Sequence, residues 1–130
     1  MIARSFVLAL FAVALAACGR DGSAATLNEP IQLAPGQSAI FESDQLSVQF
    51  VGIAADSRCP SDATCVWAGE VVVQFAIRQD DRTTQQEIKE NESGAVGAYS
   101  VTVLGVLPIP STQQRIAPAD YRVTLKVTRS

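Results

Sequence analysis

Cysteines are the residues of this chain with the widest choice of chemistry, and they stand at positions 18, 59 and 65. Five residues separate Cys59 from Cys65, whereas a thioredoxin-type redox motif has two residues between its cysteines. A structural zinc site takes about four nitrogen or sulfur ligands, and this chain has no histidine to add to its few thiols. Spacing and composition therefore argue against both redox and zinc chemistry for the later two cysteines.

The absence of histidine also restricts catalysis, because Ser-His-Asp and Cys-His arrangements both require that residue. No glycine-rich phosphate-binding loop is present. The acid pairs Asp80–Asp81 and Glu90 with Glu92 lie in polar segments, where we expect them to be solvated rather than placed for glycosidase work. We therefore predict a protein that is not an enzyme and has no catalytic residue, cofactor or metal ion.

The first seventeen residues have the composition of an export signal. Arg4 supplies a positive charge, and an unbroken apolar run follows from Phe6 to Ala17. That run is shorter than the ~20 residues that a membrane-spanning helix needs, and small residues precede Cys18, as at a signal-peptide cleavage site. We predict that residues 1–17 form a signal peptide, whose removal with Arg4 changes the net charge from −3 to −4. Such an acidic chain shows no basic footprint for nucleic acid.

The segment Leu15-Ala16-Ala17-Cys18 resembles the lipobox of bacterial prolipoproteins. The resemblance implies that Cys18 carries a diacylglycerol thioether and becomes the first residue of a membrane-anchored protein. Several acyl chains anchor a protein durably, whereas one chain binds only marginally. In Gram-negative lipoproteins an Asp after the cysteine tends to retain the protein at the inner membrane, so by this resemblance Gly19 favours the outer membrane. We expect the domain at the periplasmic face of that membrane. The small and polar residues 18–28 are predicted to form a flexible tether.

Lipidation of Cys18 leaves Cys59 and Cys65 as an even pair in an oxidising compartment. The residues between them, Pro-Ser-Asp-Ala-Thr, favour a turn that brings the two sulfur atoms together. We predict a structural disulfide that contributes about 2 kcal/mol, because the loop that it closes is short. A labile, regulatory disulfide is the alternative.

The segment 56–70 contains both of these cysteines and the only tryptophan, Trp67. Its pattern, Asp-Ser-Arg-Cys-Pro, four residues and then Cys-Val-Trp-Ala-Gly, resembles a signature of small exported bacterial proteins. The resemblance implies an exported location and no particular chemistry. As scaffold, the segment would be a stapled connection between strands, with Trp67 packed on the disulfide or the core edge and Gly69 allowing close backbone approach.

The same segment has two functional interpretations. A rigid loop could present Arg58, Asp62 and Trp67 to a partner, because Trp and Arg are favoured at binding hot spots. Alternatively, Asp56, Asp62 and Glu70 could bind calcium, although their spacing matches no known calcium loop.

Apolar and polar side chains alternate with a period of two through much of the chain after residue 28, and no helical apolar stripe is present. Proline, glycine and aspartate mark turns, as at Pro35–Gly36 and Asp80–Asp81, and 91–97 is predicted to be a loop. The alternation slips at Leu104–Gly105, which indicates a bulge or bend. The predicted strands are 31–33, 39–41, 46–50, 71–77, 83–89, 99–107 and 121–127.

About seven short strands without crossover helices predict an all-β fold for residues 29–130, an antiparallel β-sandwich of immunoglobulin-like type. Residues 116–121 resemble the tyrosine corner of such sandwiches, with Tyr121 as its tyrosine. A small β-barrel is the alternative architecture.

The function most consistent with these features is a lipid-anchored, non-catalytic envelope lipoprotein that binds another envelope component, most simply a protein. One alternative is an inhibitor of an extracellular hydrolase, a lysozyme or a protease, that inserts loops 56–65 and 107–119. Another alternative is a module that binds a small ligand or a metal ion.

Overall fold

The computed structural model of the protein describes residues 22–130, so the predicted signal peptide, the lipobox and Cys18 lie outside the described residues. The described part contains no α-helix and two short 3₁₀ helices, Glu42–Asp44 and Pro118–Asp120. Its strands are β1 (Gly22–Ala24), β2 (Ile31–Leu33), β3 (Ser38–Phe41), β4 (Leu46–Asp56), β5 (Val71–Gln79), β6 (Arg82–Lys89), β7 (Ser93–Val96), β8 (Tyr99–Leu107) and β9 (Arg122–Arg129).

These strands form two sheets that pack face to face. One sheet has the order β1-β3-β4-β5-β6 and the other the order β2-β9-β8-β7. All neighbours are antiparallel except β1 and β3, which run parallel. The predicted β-sandwich is confirmed, and the alternative of a barrel is wrong because the sheets do not close.

Alternating side chains of both sheets fill the space between them, as the period of two predicts. Phe50 and Phe75 face each other across the β4–β5 pair, with ring centroids 6.4 Å apart. No buried residue of the described part is polar or charged. The core consists of Leu33, Ala39, Phe41, Leu46, Val48, Phe50, Val71, Val73, Phe75, Ile77, Ile88, Tyr99, Val101, Val103, Val106, Tyr121, Val123, Leu125 and Val127.

The structure has two strands that the alternation pattern does not predict. β7 lies in the predicted loop 91–97 and pairs with the start of β8, so the prediction of a loop there is wrong. β1 lies within the predicted tether, and the residues after it are also attached, since the Asn28 N–H donates to the Val127 carbonyl over 2.8 Å. Both segments consist mostly of small residues, which show no alternation of large apolar and polar side chains. Backbone pairing with the neighbouring strand holds them in the sheet instead. The bulge predicted at Leu104–Gly105 is confirmed by a register shift between β8 and β9.

The strand directions give the sandwich two distinct ends. β4 and β8 both finish at one end, where β5 and β9 begin. We call this the loop end, because it carries the long connections 57–70 and 108–121. The opposite end, here called the turn end, carries the short connections 42–45, 80–81 and 97–98.

Candidate functional site

The long connections of the loop end, 57–70 and 108–121, are here called the paired loops. The first returns along itself like a short ladder: the Ser57 N–H donates to the Glu70 carbonyl over 2.7 Å and the Cys59 N–H to the Ala68 carbonyl over 3.2 Å. Beyond the ladder, Cys59 and Cys65 form the predicted disulfide, with their Cα atoms 5.9 Å apart. The tip of the loop is therefore a small covalent ring on a hydrogen-bonded stem.

Gly69 lets the two sides of this stem approach each other. Its backbone has a φ of +68°, a conformation that L side chains rarely adopt, and an added Cβ would overlap the carbonyl of Ser57. The close approach predicted for Gly69 is confirmed.

Arg58 faces inward and joins the two loops, since only 12% of its side chain is exposed. Its guanidinium donates two hydrogen bonds to the Asp56 carboxylate, from Nε over 2.9 Å and from Nη2 over 2.8 Å. It also donates to the carbonyls of Val106 (2.8 Å) and Pro108 (3.1 Å), where β8 leads into the second loop. The sequence predicted that Arg58 would contact a partner, but its guanidinium N–H groups donate to acceptors within the same chain instead.

The Asp56 carboxylate is the centre of this cluster. It accepts a third side-chain hydrogen bond, over 2.9 Å, from the hydroxyl of Tyr121, which directly precedes β9 of the facing sheet. The hydrogen bonds from Arg58 lower the pKa of Asp56 more than burial raises it, and the Tyr121 bond lowers it further. Burial, followed by the bond to Asp56, raises the pKa of Tyr121. Tyr121 therefore makes an inter-sheet bond to a carboxylate, whereas a tyrosine corner would bond the nearby backbone.

Asp62, near the tip of the disulfide ring, is also engaged within the molecule. Its carboxylate accepts from the Thr112 backbone N–H over 2.9 Å and from the Thr112 hydroxyl over 2.5 Å. These two bonds lower the pKa of Asp62. Beside them, the Ser61 N–H donates to the Pro110 carbonyl over 2.9 Å. Asp62 therefore docks one loop on the other, although it lies at the surface.

Trp67 is the predicted site residue that the structure leaves free to meet a partner. It is 75% exposed and its neighbour Val66 is 95% exposed, so the expectation that Trp67 caps the core edge is wrong. The last residue of β8, Leu107, is 48% exposed, and Ile109 of the second loop is 64% exposed. We refer to these four side chains as the apolar tip.

Leu107 and Ile109 lie in the loop 107–119 that the inhibitor alternative names, but the alternation pattern does not single them out as site residues. The available signal was the segment Leu-Pro-Ile-Pro, in which large apolar residues alternate with prolines that interrupt strand pairing. A bulky apolar residue with no strand or helix to bury it is a candidate for external contact.

The acids considered for calcium each have another partner. Asp56 pairs with Arg58, Asp62 with Thr112, and Glu70 with Lys89 over 3.0 Å. Within residues 22–130, no group of three or more His, Cys, Asp or Glu side chains is arranged to hold a metal ion. The three carboxylates of the calcium interpretation are not brought to one point.

No protein-family model, curated protein or solved structure matches this chain. Among the described residues there is also no helix long and apolar enough to cross a membrane. The site consists of two loops fixed to each other, with the four exposed apolar side chains of the apolar tip on and beside them.

Proposed function

We propose that this chain is an envelope lipoprotein whose β-sandwich binds another envelope protein through the apolar tip. Residues 1–17 are the signal peptide, and Cys18 carries the lipid that holds the domain at the periplasmic face of the outer membrane. The observation that supports binding is the exposure of Val66, Trp67, Leu107 and Ile109 on and beside two loops that a disulfide and hydrogen bonds hold together.

The rigidity of the paired loops favours recognition. Binding costs free energy when loops and side chains become ordered, and a loop that is already ordered avoids much of that cost. Here the Cys59–Cys65 disulfide, the Arg58 hydrogen bonds and the Asp62–Thr112 contact hold the loops before any partner arrives. Tryptophan is the residue type most enriched at binding hot spots, so Trp67 is the residue on which we expect affinity to depend.

A protein partner fits this surface better than a polar ligand does. Arg58 and Asp62 are already engaged within the molecule, so the exposed chemistry is mainly aromatic and aliphatic. A combination of an exposed apolar centre and a polar surrounding is typical of protein interfaces.

Lipidation is tested by substituting Cys18. We expect Cys18→Ser to abolish incorporation of labelled palmitate and the processing of the precursor, since no other sulfur lies at the predicted cleavage site. The Cys59→Ser, Cys65→Ser double variant is the matched control and should still be labelled. Labelling that persists in Cys18→Ser would contradict the anchor.

Partner binding is tested by replacing Trp67 with a photo-crosslinking amino acid in living cells. The same replacement at Gln85, an exposed residue on the edge strand β6, is the control. We expect a discrete adduct from position 67 that is absent at position 85 and disappears when Ile109→Ser is added. The same diffuse set of neighbours at both positions would count against a specific partner.

Inhibition of an extracellular hydrolase is a second candidate, favoured by one observation. Loops 56–65 and 107–119 are in contact, through Ser61 with Pro110 and through Asp62 with Thr112, and so form a single protrusion. The purified protein should then inhibit a lysozyme or a protease in a panel, and Trp67→Ala should weaken that inhibition. Lack of inhibition across the panel would remove this candidate.

A further inference from the structure

An apolar groove opens on one long side of the sandwich, next to the loop end. β3 pairs with β4 over Leu46–Gln49, and the last bonds between that segment and β4 join Gly36 and Gln37 to Phe50. From residue 51 to residue 56, this edge of β4 has no neighbouring strand in the described part of the chain. The groove, which we call the seam, has a volume of about 540 Å³ and is lined by Pro35, Val51, Gly52, Ile53, Ala54, Ala55, Asp56, Pro118, Ala119 and Tyr121.

The seam offers apolar surface with little charge. Val51 is 41% exposed, and Ala54, Ala55 and the facing Pro118 are exposed as well. Asp56 is the only acidic or basic residue in the lining, and its carboxylate is already bound to Arg58 and Tyr121. A surface of this kind can rest at the headgroup level of a bilayer, where no charge is left unpaired and water still reaches the free backbone groups of β4.

β1 places the start of the described chain on this same side. β1 is an edge strand and runs parallel to β3, with Gly22 opposite Ser38, which in turn lies opposite Gln49 of β4. Because β3 runs from the loop end towards the turn end, β1 does so too, and Gly22 is the residue of β1 nearest to the loop end. The first described residue is therefore on the side of the sandwich on which the seam opens.

The length of the chain limits the distance from Cys18 to the sandwich. Four Cα steps separate Cys18 from Gly22, and a fully extended chain spans ~14 Å over that number of steps. Gly22 lies two strands, or ~10 Å, from Gln49 of β4, and Val51 lies two residues, or ~7 Å, further along that strand. A lipid on Cys18 therefore keeps the β1 side of the sandwich, beside which the seam opens, near the membrane.

We propose that the seam rests on the phospholipid bilayer that receives the Cys18 lipid. This inference depends on the lipidation proposed above and adds an orientation: the sandwich lies on its β1 side, with Val51 and Ala54 at the lipid interface. The apolar tip at the neighbouring loop end is then held beside the membrane. Its partner is accordingly a protein that is embedded in or attached to the same membrane.

The test measures quenching of tryptophan emission by brominated phosphatidylcholine in vesicles that carry the purified, lipidated protein. Trp67→Phe removes the native tryptophan, and Val51→Trp then places an indole at the seam. The matched control places it at Gln85, on the opposite edge of the same sheet, by Gln85→Trp. We expect bromolipid to reduce the emission of the Val51→Trp variant and to leave that of the Gln85→Trp variant unchanged.

Equal quenching of both variants, or of neither, would overturn the orientation. Quenching that is lost when Cys18→Ser protein is added to the same vesicles would show that the anchor directs the contact. The intact mass of each preparation separates the two proposals: a mass without acyl chains refutes the lipoprotein assignment and this inference with it, whereas an acylated protein with an unquenched seam refutes the orientation alone. Shielding of the seam by a bound protein in native membranes, without bromolipid quenching, would also overturn it.

Discussion

Individual side chains at the loop end are connected to residues far away along the chain. Arg58 reaches carbonyls 48 and 50 positions later, and Tyr121 reaches a carboxylate 65 positions earlier. Because the Arg58 guanidinium and the Asp56 carboxylate are charged and largely buried, the loss of one partner leaves the other without its hydrogen bonds. The Asp56 cluster is therefore where single substitutions should have the largest effect outside the core.

We predict that Asp56→Asn destabilises the protein by about 2–3 kcal/mol, since it removes charge-assisted hydrogen bonds from a guanidinium that is largely out of solvent. Urea unfolding measures this change in the free energy of unfolding. Asp62→Asn is the comparison, because water can replace the partner of an exposed carboxylate, and its loss should be smaller. Equal losses for the two variants would contradict the central role of Asp56.

The same cluster predicts a dependence on pH. The hydrogen bonds from Arg58 hold the pKa of Asp56 in the folded protein below its ordinary value of 3.8. A group with a lowered folded pKa stabilises the protein fully above its unfolded pKa, and this contribution is lost as the pH falls towards the folded pKa. We therefore expect stability to decrease as the pH falls below about 5, with a smaller decrease in Asp56→Asn. Thermal unfolding across this range is the measurement, and identical acid profiles would refute the assignment.

At the scale of structural elements, the connection 57–70 has its own covalent closure, whereas the connection 108–121 has none and is held by contact with the first. Two residues of the disulfide ring hold the second loop: the Ser61 N–H donates to the Pro110 carbonyl, and the Asp62 carboxylate accepts from the Thr112 N–H. The order of the second loop consequently depends on the closure of the first.

Removal of the disulfide in the Cys59→Ser, Cys65→Ser variant should lower stability by about 2 kcal/mol, as expected for so short a closed loop. It should also increase amide hydrogen exchange at Thr112 while leaving exchange in β5 unchanged, because the strands do not depend on the ring. If exchange at Thr112 did not change, the second loop would be ordered independently of the ring. That result would refute the coupling of the two loops.

At the scale of the whole sandwich, residues 22–130 have their exposed large apolar side chains in one half. Every large hydrophobic residue that is exposed among the described residues lies from the middle of the sandwich to the loop end: Val51, Val66, Trp67, Leu104, Leu107 and Ile109. The turn end is closed by polar contacts instead, with the Asp44 carboxylate accepting from the Tyr99 hydroxyl over 2.8 Å and from Arg129 over 3.0 Å. This asymmetry is the basis for assigning both partner and membrane contacts to the loop-end half.

We predict that Trp67→Ser combined with Ile109→Ser leaves the melting temperature unchanged, since these exposed side chains contribute little to the core. The same variant should reduce binding of an apolar dye and self-association of the detergent-free protein, because exposed apolar surface drives both. Calorimetry and light scattering measure the two effects. A large fall in melting temperature would show that the apolar tip belongs to the scaffold.

The sequence by itself determined the elements with strong side-chain alternation, namely seven of the strands, the sandwich that they form and the bulge near Gly105. It also predicted the disulfide between Cys59 and Cys65, because these are the two cysteines that remain when Cys18 is set aside for the lipid. These features depend on local periodicity and spacing, which can be read along the chain.

Only the tertiary structure decided which side chains remain free for a partner. Arg58, Asp62 and Trp67 are equally plausible binding residues in the sequence, but two of them are engaged by a loop some fifty positions away. The tertiary structure also decided where β1 and β7 pair with a neighbouring strand. It likewise decided where β3 stops pairing with β4 and so leaves the seam open. Contacts of this kind arise from the relative placement of loops and sheet edges, which no local pattern of residue types encodes.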